Sequence, residues 1–202
     1  MNGYEAIKLY AGLESQRLEE SDSIIIKLFP HNEEECNDDF VNDFQFTGTA
    51  RLVGATSRGV LSLWDYFGKE LASHTVFDWK EVPARIDNVQ VSPDSKFVAV
   101  LTSTGTVTLR TYTLWVYKIE GDKIEEASST VIREGSRGGW IATFYQREDG
   151  SYVAVMTNDF KDVRFFQFDK DGKDLKWVHT DNLLQFGSKG SSVGFGYLWV
   201  VD

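Results

Sequence analysis

The acidic stretch "DKDGKD", residues 169–174, has the residue types that could bind calcium. Calcium prefers carboxylate and carbonyl oxygens, and an EF-hand loop combines these ligands with a glycine at its sixth position. Gly172 is the fourth residue of this stretch, so the spacing differs from that of an EF-hand. The comparable stretches "DYFGKE" and "IEGDK" lack the cluster of acids. The sequence therefore predicts a polar hairpin turn here and no metal site.

The histidines are not spaced as metal ligands either. The three histidines, His31, His74 and His179, lie in separate segments, and none has a second histidine or a cysteine two or four residues away. A phosphate-binding loop of the G-x-x-x-x-G-K type is also absent from the sequence. We therefore predict no catalytic residues, no metal and no cofactor, and hence no turnover.

The best candidate for binding is the stretch "REGSRGGW", residues 133–140. It places Arg133, Arg137 and Trp140 on a glycine-rich connection in an otherwise acidic chain. Arginine and tryptophan are enriched among the residues that dominate the energy of protein interfaces. The structural alternative is that Trp140 begins the strand "WIATFYQ" and packs between neighbouring sheets. The first interpretation predicts a protein-binding site at these three residues.

Composition and charge limit the partners that the chain can have. The chain has 202 residues with a net charge of -10, whereas nucleic-acid phosphates and anionic membranes are bound by clustered lysine and arginine. The single cysteine, Cys36, excludes an internal disulfide, and the sequence shows neither a signal peptide nor an apolar run of membrane-spanning length. We therefore expect a cytoplasmic or nuclear protein with protein partners, no nucleic acid and no membrane.

The pattern of apolar residues predicts an all-β chain. From Val41 onward, apolar runs of strand length alternate with turn signals, and the spacing typical of amphipathic helices is absent. Before that point, "SIIIKLF" (23–29) is predicted as a strand because it is β-branched and ends at Pro30. We divide the chain into an N-terminal strand segment with an acidic linker, residues 1–40, and a repeat region, residues 41–202.

The repeat is visible in a hairpin that recurs three times. In each copy an aromatic residue stands four positions before a glycine, and Leu or Ile follows three positions after it. The copies are "WDYFGKEL" (64–71), "YKIEGDKI" (117–124) and "FDKDGKDL" (168–175). Their glycines, Gly68, Gly121 and Gly172, should occupy equivalent turns, because glycine supplies the left-handed backbone that a tight hairpin requires. An earlier hairpin in each unit turns at Gly48, at Asp94-Ser95 and at Asp149-Gly150.

A unit of four short strands at a period of roughly 40 to 50 residues is typical of a β-propeller blade. The stretch "VSPDSKFVAVLTS" resembles the S-P-D-G turn and following strand of WD-repeat propellers, although Ser95 replaces the glycine. The stretch "GVLSLWDYFGKEL" resembles their G-x-x-x-x-W-D strand, with Trp64 and Asp65 at the signature positions, but later units lack the Trp-Asp pair. The resemblance implies an all-β, WD-repeat-like array of about four four-stranded antiparallel blades.

Blade boundaries follow from the repeat. We predict blades at about residues 41–85, 86–138 and 139–181 and a partial one at 182–202. The additional stretch "TGTVTLRTYT" should lengthen a hairpin of the second blade. The alternating valines of the second and third blades should be buried between blades; they are Val98, Val100, Val153 and Val155.

The number of blades leaves two possibilities for closing the ring. Propellers have roughly four to eight blades, and the repeat reaches only a partial fourth unit. Either "SIIIKLF" pairs beside the C-terminal "YLWVVD" and closes the ring, or the chain is part of a larger propeller, which we favour. A cooperative monomer in light scattering would indicate closure, whereas an oligomer would indicate the larger propeller.

Three functions are compatible with such a fold. The first is a non-catalytic scaffold that mediates protein–protein interaction. The second is a ligand-binding or enzymatic propeller with its site in the central channel, and the third is a regulatory propeller of a larger enzyme. The predicted inner strands "QFTG", "VQVS" and "ATFYQ" carry few groups suited to catalysis, which favours the scaffold. The sequence identifies neither the partner nor the oligomeric state.

Overall fold

The structure is a computed structural model that describes most of the repeat region and two short strands before it. The described residues are 6–10, 23–27, 41–49, 51–56, 58–65, 67–106, 109–133, 139–158 and 162–182. They include no helix, and so no helix long and apolar enough to cross a membrane. Their strands are β1 (Ala6–Tyr10), β2 (Ser23–Lys27), β3 (Val41–Phe46), β4 (Leu52–Thr56), β5 (Val60–Trp64), β6 (Glu70–Thr75), β7 (Ala84–Val91), β8 (Phe97–Thr106), β9 (Leu109–Glu120), β10 (Lys123–Arg133), β11 (Gly139–Gln146), β12 (Tyr152–Asn158), β13 (Asp162–Phe168) and β14 (Lys176–Asn182).

Three four-stranded antiparallel sheets make up the repeat region, and each uses strands that are consecutive in the chain. We call them blade 1 (β3 to β6), blade 2 (β7 to β10) and blade 3 (β11 to β14). The β-branched and aromatic residues of these strands suit a pleated, half-buried surface. The predicted all-β, propeller-like fold is confirmed. The exact blade boundaries stay a prediction, since residues 183–202 lie outside the described part.

The two N-terminal strands form a sheet of their own. β1 pairs with β2 in antiparallel register, from Ala6 opposite Lys27 to Tyr10 opposite Ser23. Of the strand predicted at residues 23–29, the described part, Ser23–Lys27, is therefore a strand. The predicted pairing of this strand with "YLWVVD" involves residues outside the described part and stays a prediction.

Aliphatic side chains fill the space between blade 1 and blade 2. Val53 and Leu63 of blade 1 share one buried cluster with Val98 and Val100 of blade 2, and all four are 0% exposed. The prediction that Val98 and Val100 lie between blades is confirmed. His74 adds to this contact, because its ring centroid lies 5.0 Å from that of Tyr117 across the two blades.

Aromatic rings dominate the contact between blade 2 and blade 3. Phe97 of blade 2 makes edge contacts with Tyr152 at 4.8 Å and with Phe168 at 5.3 Å, measured between ring centroids. The rings of Tyr152 and Phe168 are stacked 5.3 Å apart. Aromatic pairs in these geometries contribute roughly 0.5–1.5 kcal/mol beyond the area that they bury. Sheets with such faces are stable only when they are stacked against each other.

Val153 and Val155 are buried, with exposed fractions of 3% and 0%. They form a cluster with Val163, and Tyr145 and Phe165 pack against it. All of these residues belong to blade 3, so the cluster contains no described residue of another blade. Burial of the two valines is confirmed, whereas their position between two blades stays a prediction.

The repeated glycines all lie in the turn between the third and fourth strands of a blade. Gly68 and Gly172 both have a φ of 82°, and each donates a hydrogen bond to the carbonyl oxygen of the aspartate three residues before it. Gly121, with a φ of 57°, begins a two-residue turn instead, because Glu120 pairs directly with Lys123. The predicted period is confirmed, with a shorter turn in blade 2.

The innermost strands determine how the blades are oriented. A β-bulge interrupts β3, β7 and β11 at corresponding positions, before Asp43, Asn88 and Thr143. Asp43 Oδ2 accepts hydrogen bonds from Asn88 Nδ2 at 2.7 Å and from the backbone N–H of Val89 at 2.8 Å. Asn88 Oδ1 in turn accepts one from the backbone N–H of Ile141 at 2.8 Å. These bonds join all three blades through their inner strands.

The inner strands β3 and β7 run in the same direction, because Asp43 bonds to Val89 and Gln45 bonds to Val91, two residues further along both strands. The first turns of blades 2 and 3 also meet, because Tyr152 donates its hydroxyl to Asp94 Oδ2, so blade 3 has the same orientation. Because the strands within each blade alternate in direction, equivalent loops of the three blades lie at the same end. We call the end with the connections from one blade to the next the connection end. The opposite end, with Gly68, Gly121 and Gly172, is the turn end.

Candidate interaction surface

The connection end carries the residues that the sequence singled out. Arg133 is the last residue of β10, opposite Thr111, and Trp140 is the second residue of β11, opposite Thr157. Both backbones therefore lie at the connection end, on adjacent blades. Arg137 lies outside the described residues, as do the side chains of Arg133 and Trp140. A binding role for the three residues stays a prediction.

The hairpin of β8 and β9 extends the connection end of blade 2. Its strands are paired out to Thr106 opposite Leu109, whereas pairing with the flanking strands stops at Thr104 on one side and Thr111 on the other. The paired ends of β8 and β9 therefore project beyond their own blade, as the additional stretch of sequence predicts. Lengthened connections of this kind are common sites of binding.

The connection between blade 1 and blade 2 contains several hydrogen bonds of its own. Asp78 Oδ1 accepts the backbone N–H of Lys80 at 2.9 Å, and the Asp78 carbonyl accepts those of Glu81 and Val82 at 3.1 and 2.8 Å. The N–H of Ala84 then bonds to the Val82 carbonyl at 2.7 Å as β7 begins. We call residues 77–83, "FDWKEVP", the Trp79 loop.

Gly59 fixes the start of the Trp79 loop. It lies in the turn between β4 and β5 with a φ of 84°, and its carbonyl accepts the backbone N–H of Val76 at 2.8 Å. A Cβ atom at this position would lie 2.7 Å from both the ring and the carbonyl oxygen of Phe77. Only glycine allows the loop to approach so closely, and the approach brings the neighbouring Arg58 to the loop.

Trp79 is the most prominent side chain of this loop. It is 44% exposed, with the Arg58 guanidinium carbon 4.8 Å and Lys80 Nζ 5.7 Å from the ring centroid. Val82 is 40% exposed beside it. A large apolar side chain on a loop with its own hydrogen bonds is partly pre-organised for a partner, which favours affinity. The arrangement is therefore suited to anchoring a protein.

Sequence reasoning missed Trp79, although the signal was available. The criterion that selected Arg137 and Trp140 was an aromatic residue with a cation on a connection between blades. "FDWKEVP" meets the same criterion one blade earlier, with Trp79 next to Lys80. Its cation–π partner Arg58 comes from a different hairpin, so that contact depends on the fold.

Three polar side chains of the innermost strands join the blades. Asp43, Gln45 and Asn88 each bind the next inner strand. Asp87 pairs with Arg85 at 2.6 Å and has a side chain that is 11% exposed, although its Oδ2 has no hydrogen-bond partner among the described residues. Within the described ranges, no three His, Cys, Asp or Glu side chains are grouped so that they could hold a metal ion.

The acidic stretch at residues 169–174 is a hairpin turn, as its sequence predicts. Asp169 Oδ1 accepts the backbone N–H groups of Asp171 and Lys173 at 2.9 and 2.7 Å. Asp65 does the same for Phe67 and Lys69 in blade 1, at 2.9 Å in both cases. The aspartate therefore stabilises its own turn. His74 and His179 lie in different blades, and His31 lies outside the described residues.

Comparison with known proteins supports the fold and leaves the function open. No family model matches the chain, and no curated protein matches it. Among solved structures, the chain is similar to the β-propeller domain of Nup133 from Vanderwaltozyma polyspora, with a TM-score of 0.51 and 10% identity over 82% of this chain and 53% of that one.

Two further structures are similar to the chain. One is a putative 6-phosphogluconolactonase from Bacteroides fragilis, with a TM-score of 0.50 and 11% identity over 81% of this chain and 49% of that one. The other is the WD40 domain of SCAP from fission yeast, with a TM-score of 0.46 and 12% identity over 71% of this chain and 32% of that one. The chain thus spans about a third to a half of the length of these propellers.

Proposed function

We propose that the chain is a non-catalytic propeller module that binds a protein partner at its connection end, with Trp79 as the anchor. The observation that carries the proposal is the Trp79 loop itself, which holds a half-exposed tryptophan beside Arg58 in an ordered conformation. A few large side chains of this type supply most of the binding energy in protein interfaces.

Three side chains of the inner strands support binding over catalysis. Propellers of this fold include a putative lactonase, so the fold alone does not decide between the two activities. In this chain Asp43, Gln45 and Asn88 use their side-chain oxygens to join the blades. Oxygens engaged in this way are poorly placed to act on a substrate in the channel.

The proposal is tested by comparing two exposed tryptophans. Trp177 on β14 is 56% exposed and has the Arg164 guanidinium carbon 5.6 Å from its ring centroid, so it matches Trp79 in chemistry. Trp79→Ala should abolish the recovery of at least one protein that co-purifies with the tagged chain from its native cells. Trp177→Ala should leave that recovery unchanged.

Thermal unfolding of both variants shows whether the fold is retained. Equal recovery of partners with Trp79→Ala and with the unmodified chain would contradict the proposal.

A further inference from the structure

We infer that a second copy of this chain packs on the side of blade 1 that points away from blade 2, so that two copies complete one propeller ring. We call this side the free face of blade 1. Val53 of β4 contacts blade 2. Neighbouring residues of a strand point to opposite sides, so Leu52 and its cross-strand partner Phe46 lie on the free face. Phe44, two positions before Phe46, lies there as well.

The repeat shows what residues at the positions of Phe44 and Phe46 contact in the other blades. The β-bulges of the inner strands align Phe44 with Val89 and Phe144. They align Phe46 with Val91. Val89, Val91 and Phe144 are 2%, 6% and 4% exposed, and all three belong to the clusters that join their blade to the preceding one. Phe44 and Phe46 are 45% and 52% exposed, which indicates that the free face has no preceding blade within the described residues.

The free face also carries Trp64, which is 2% exposed. It stands four residues before the glycine of its hairpin, as Tyr117 and Phe168 do. The ring of Tyr117 lies 5.0 Å from that of His74 in blade 1, and the ring of Phe168 lies 5.3 Å from that of Phe97 in blade 2. An aromatic residue at this position thus joins blades 2 and 3 to the blade before them. Blade 1 carries the same kind of residue without a described blade before it.

The share of a propeller that the chain spans favours a second copy as the occupant. The chain covers 53% of the Nup133 propeller domain and 49% of the putative lactonase, so two copies match one ring in length. The described strands β1 and β2 form a separate two-stranded sheet and are not a further four-stranded blade. Exposed apolar patches on proteins commonly mark sites of association, and the two phenylalanines form such a patch.

The order of the blades favours head-to-tail packing of the two copies. In the contact between blades 1 and 2, the earlier blade contributes Val53 and Ala55. Val153 and Val155 have the same positions in blade 3, on the side away from blade 2. The blade 3 side of one copy should therefore meet the free face of blade 1 of the other. Contacts between two different surfaces of identical chains form a closed ring when the rotation between the copies closes.

Sedimentation velocity of the full chain over a range of concentrations tests the inference. The unmodified chain should sediment as a dimer that dissociates on dilution. Phe46→Asp should give a monomer, because it places an unpaired charge in an apolar contact. Phe46→Ala, a milder change, should raise the dissociation constant about tenfold. Val131→Asp is the matched control, since Val131 is 55% exposed on β10, and it should leave the dimer unchanged.

A photo-crosslinker at the same position shows which surface of the second copy is in contact. Benzoylphenylalanine replaces Phe46, and chains with and without an isotope label are mixed so that adducts between copies are recognised by their mass. These adducts should contain peptides from residues 139–202 of the second copy. Adducts with its blade 1 or blade 2 would overturn the ring.

Three results of the sedimentation experiment would also overturn the inference: a monomer at every concentration, an oligomer larger than a dimer, or a dimer that persists with Phe46→Asp. The inference does not rest on the Trp79 loop. Trp79→Ala should leave the dimer intact, so the association of two copies and the binding of a partner protein are tested separately.

Discussion

The side-chain oxygen of Ser95 accepts a hydrogen bond of 2.7 Å from the backbone N–H of Gly48, which joins the first turns of blades 1 and 2. Ser95 has a φ of 61°, a left-handed conformation that costs a non-glycine residue about 1 kcal/mol. Gly150 has the corresponding conformation in blade 3, with a φ of 81°. The bond to Gly48 explains why a serine replaces the usual glycine in blade 2, since it offsets the backbone strain.

Two substitutions at Ser95 separate the bond from the strain. Ser95→Ala removes the bond and keeps the strain, so it should lower the free energy of unfolding by about 1 kcal/mol. Ser95→Gly removes both, so it should lower the free energy by less than half as much. Urea denaturation measures both values. A glycine variant that is no more stable than the alanine variant would contradict this explanation.

Gly172 and Gly150 differ in what surrounds them, although their φ angles are 82° and 81°. A Cβ atom on Gly172 would lie 2.6 Å from Ala127 Cβ and 2.7 Å from Phe97 Cε1, whereas one on Gly150 would meet nothing within 4 Å. Gly150→Ala should therefore destabilise the protein only through backbone strain, by about 1 kcal/mol. Gly172→Ala should cost about 1–3 kcal/mol more, because blade 2 must shift. Equal melting temperatures for the two variants would disprove close packing of blade 3 against blade 2 at Gly172.

The bond between Asp94 and Tyr152 makes the contact between blades 2 and 3 sensitive to acid. Tyr152 donates its hydroxyl to Asp94 Oδ2 at 2.7 Å. Burial by itself would raise the pKa of Asp94, but the hydrogen bonds from Tyr152, Ser92 and Lys96 lower it, and the pKa lies below its usual value of 3.8. Burial and the neighbouring carboxylate raise the pKa of Tyr152, so its hydroxyl remains a donor.

A lowered pKa in the folded state gives stability that is present above the unfolded pKa and lost as the pH falls through the folded pKa. Asp94→Asn removes this contribution, so the variant should have a lower free energy of unfolding than the unmodified protein at neutral pH. The difference between the two free energies should shrink as the pH falls below 3.8. Tyr152→Phe removes only one of the hydrogen bonds to Asp94, so its free energy of unfolding should show the same dependence on pH with a smaller amplitude. A deficit that stays constant from pH 7 to pH 3 would argue against the bond.

The sequence predicts the repeat well because the repeat is local. The turns at Gly68, Gly121 and Gly172 depend on residues within one hairpin, and the continuous apolar run of β8 is enough to place Val98 and Val100 in the core. Each of these features is determined by neighbours in the chain, so the pattern of residue types is sufficient to find them.

The contacts between blades could not be predicted in the same way. Asp43 binds Val89, and Arg58 lies over Trp79, across separate hairpins. Both contacts depend on backbone details, a β-bulge before Asp43 and the close approach at Gly59, that leave no distinctive pattern of residue types. For this reason the sequence could place a candidate binding region on a connection between blades but could not show the contact of Arg58 with Trp79.

Site-specific photo-crosslinking tests the proposed function most directly. A benzoylphenylalanine placed at Val82 leaves Trp79 intact and lies on an exposed position of the Trp79 loop, whereas one at the exposed Lys170 probes the turn end of blade 3. Irradiation in native cells should yield a covalent adduct between the Val82 probe and a partner protein, identified by mass spectrometry, and no adduct with the same protein from Lys170. Adducts from Lys170 alone would contradict binding at the connection end.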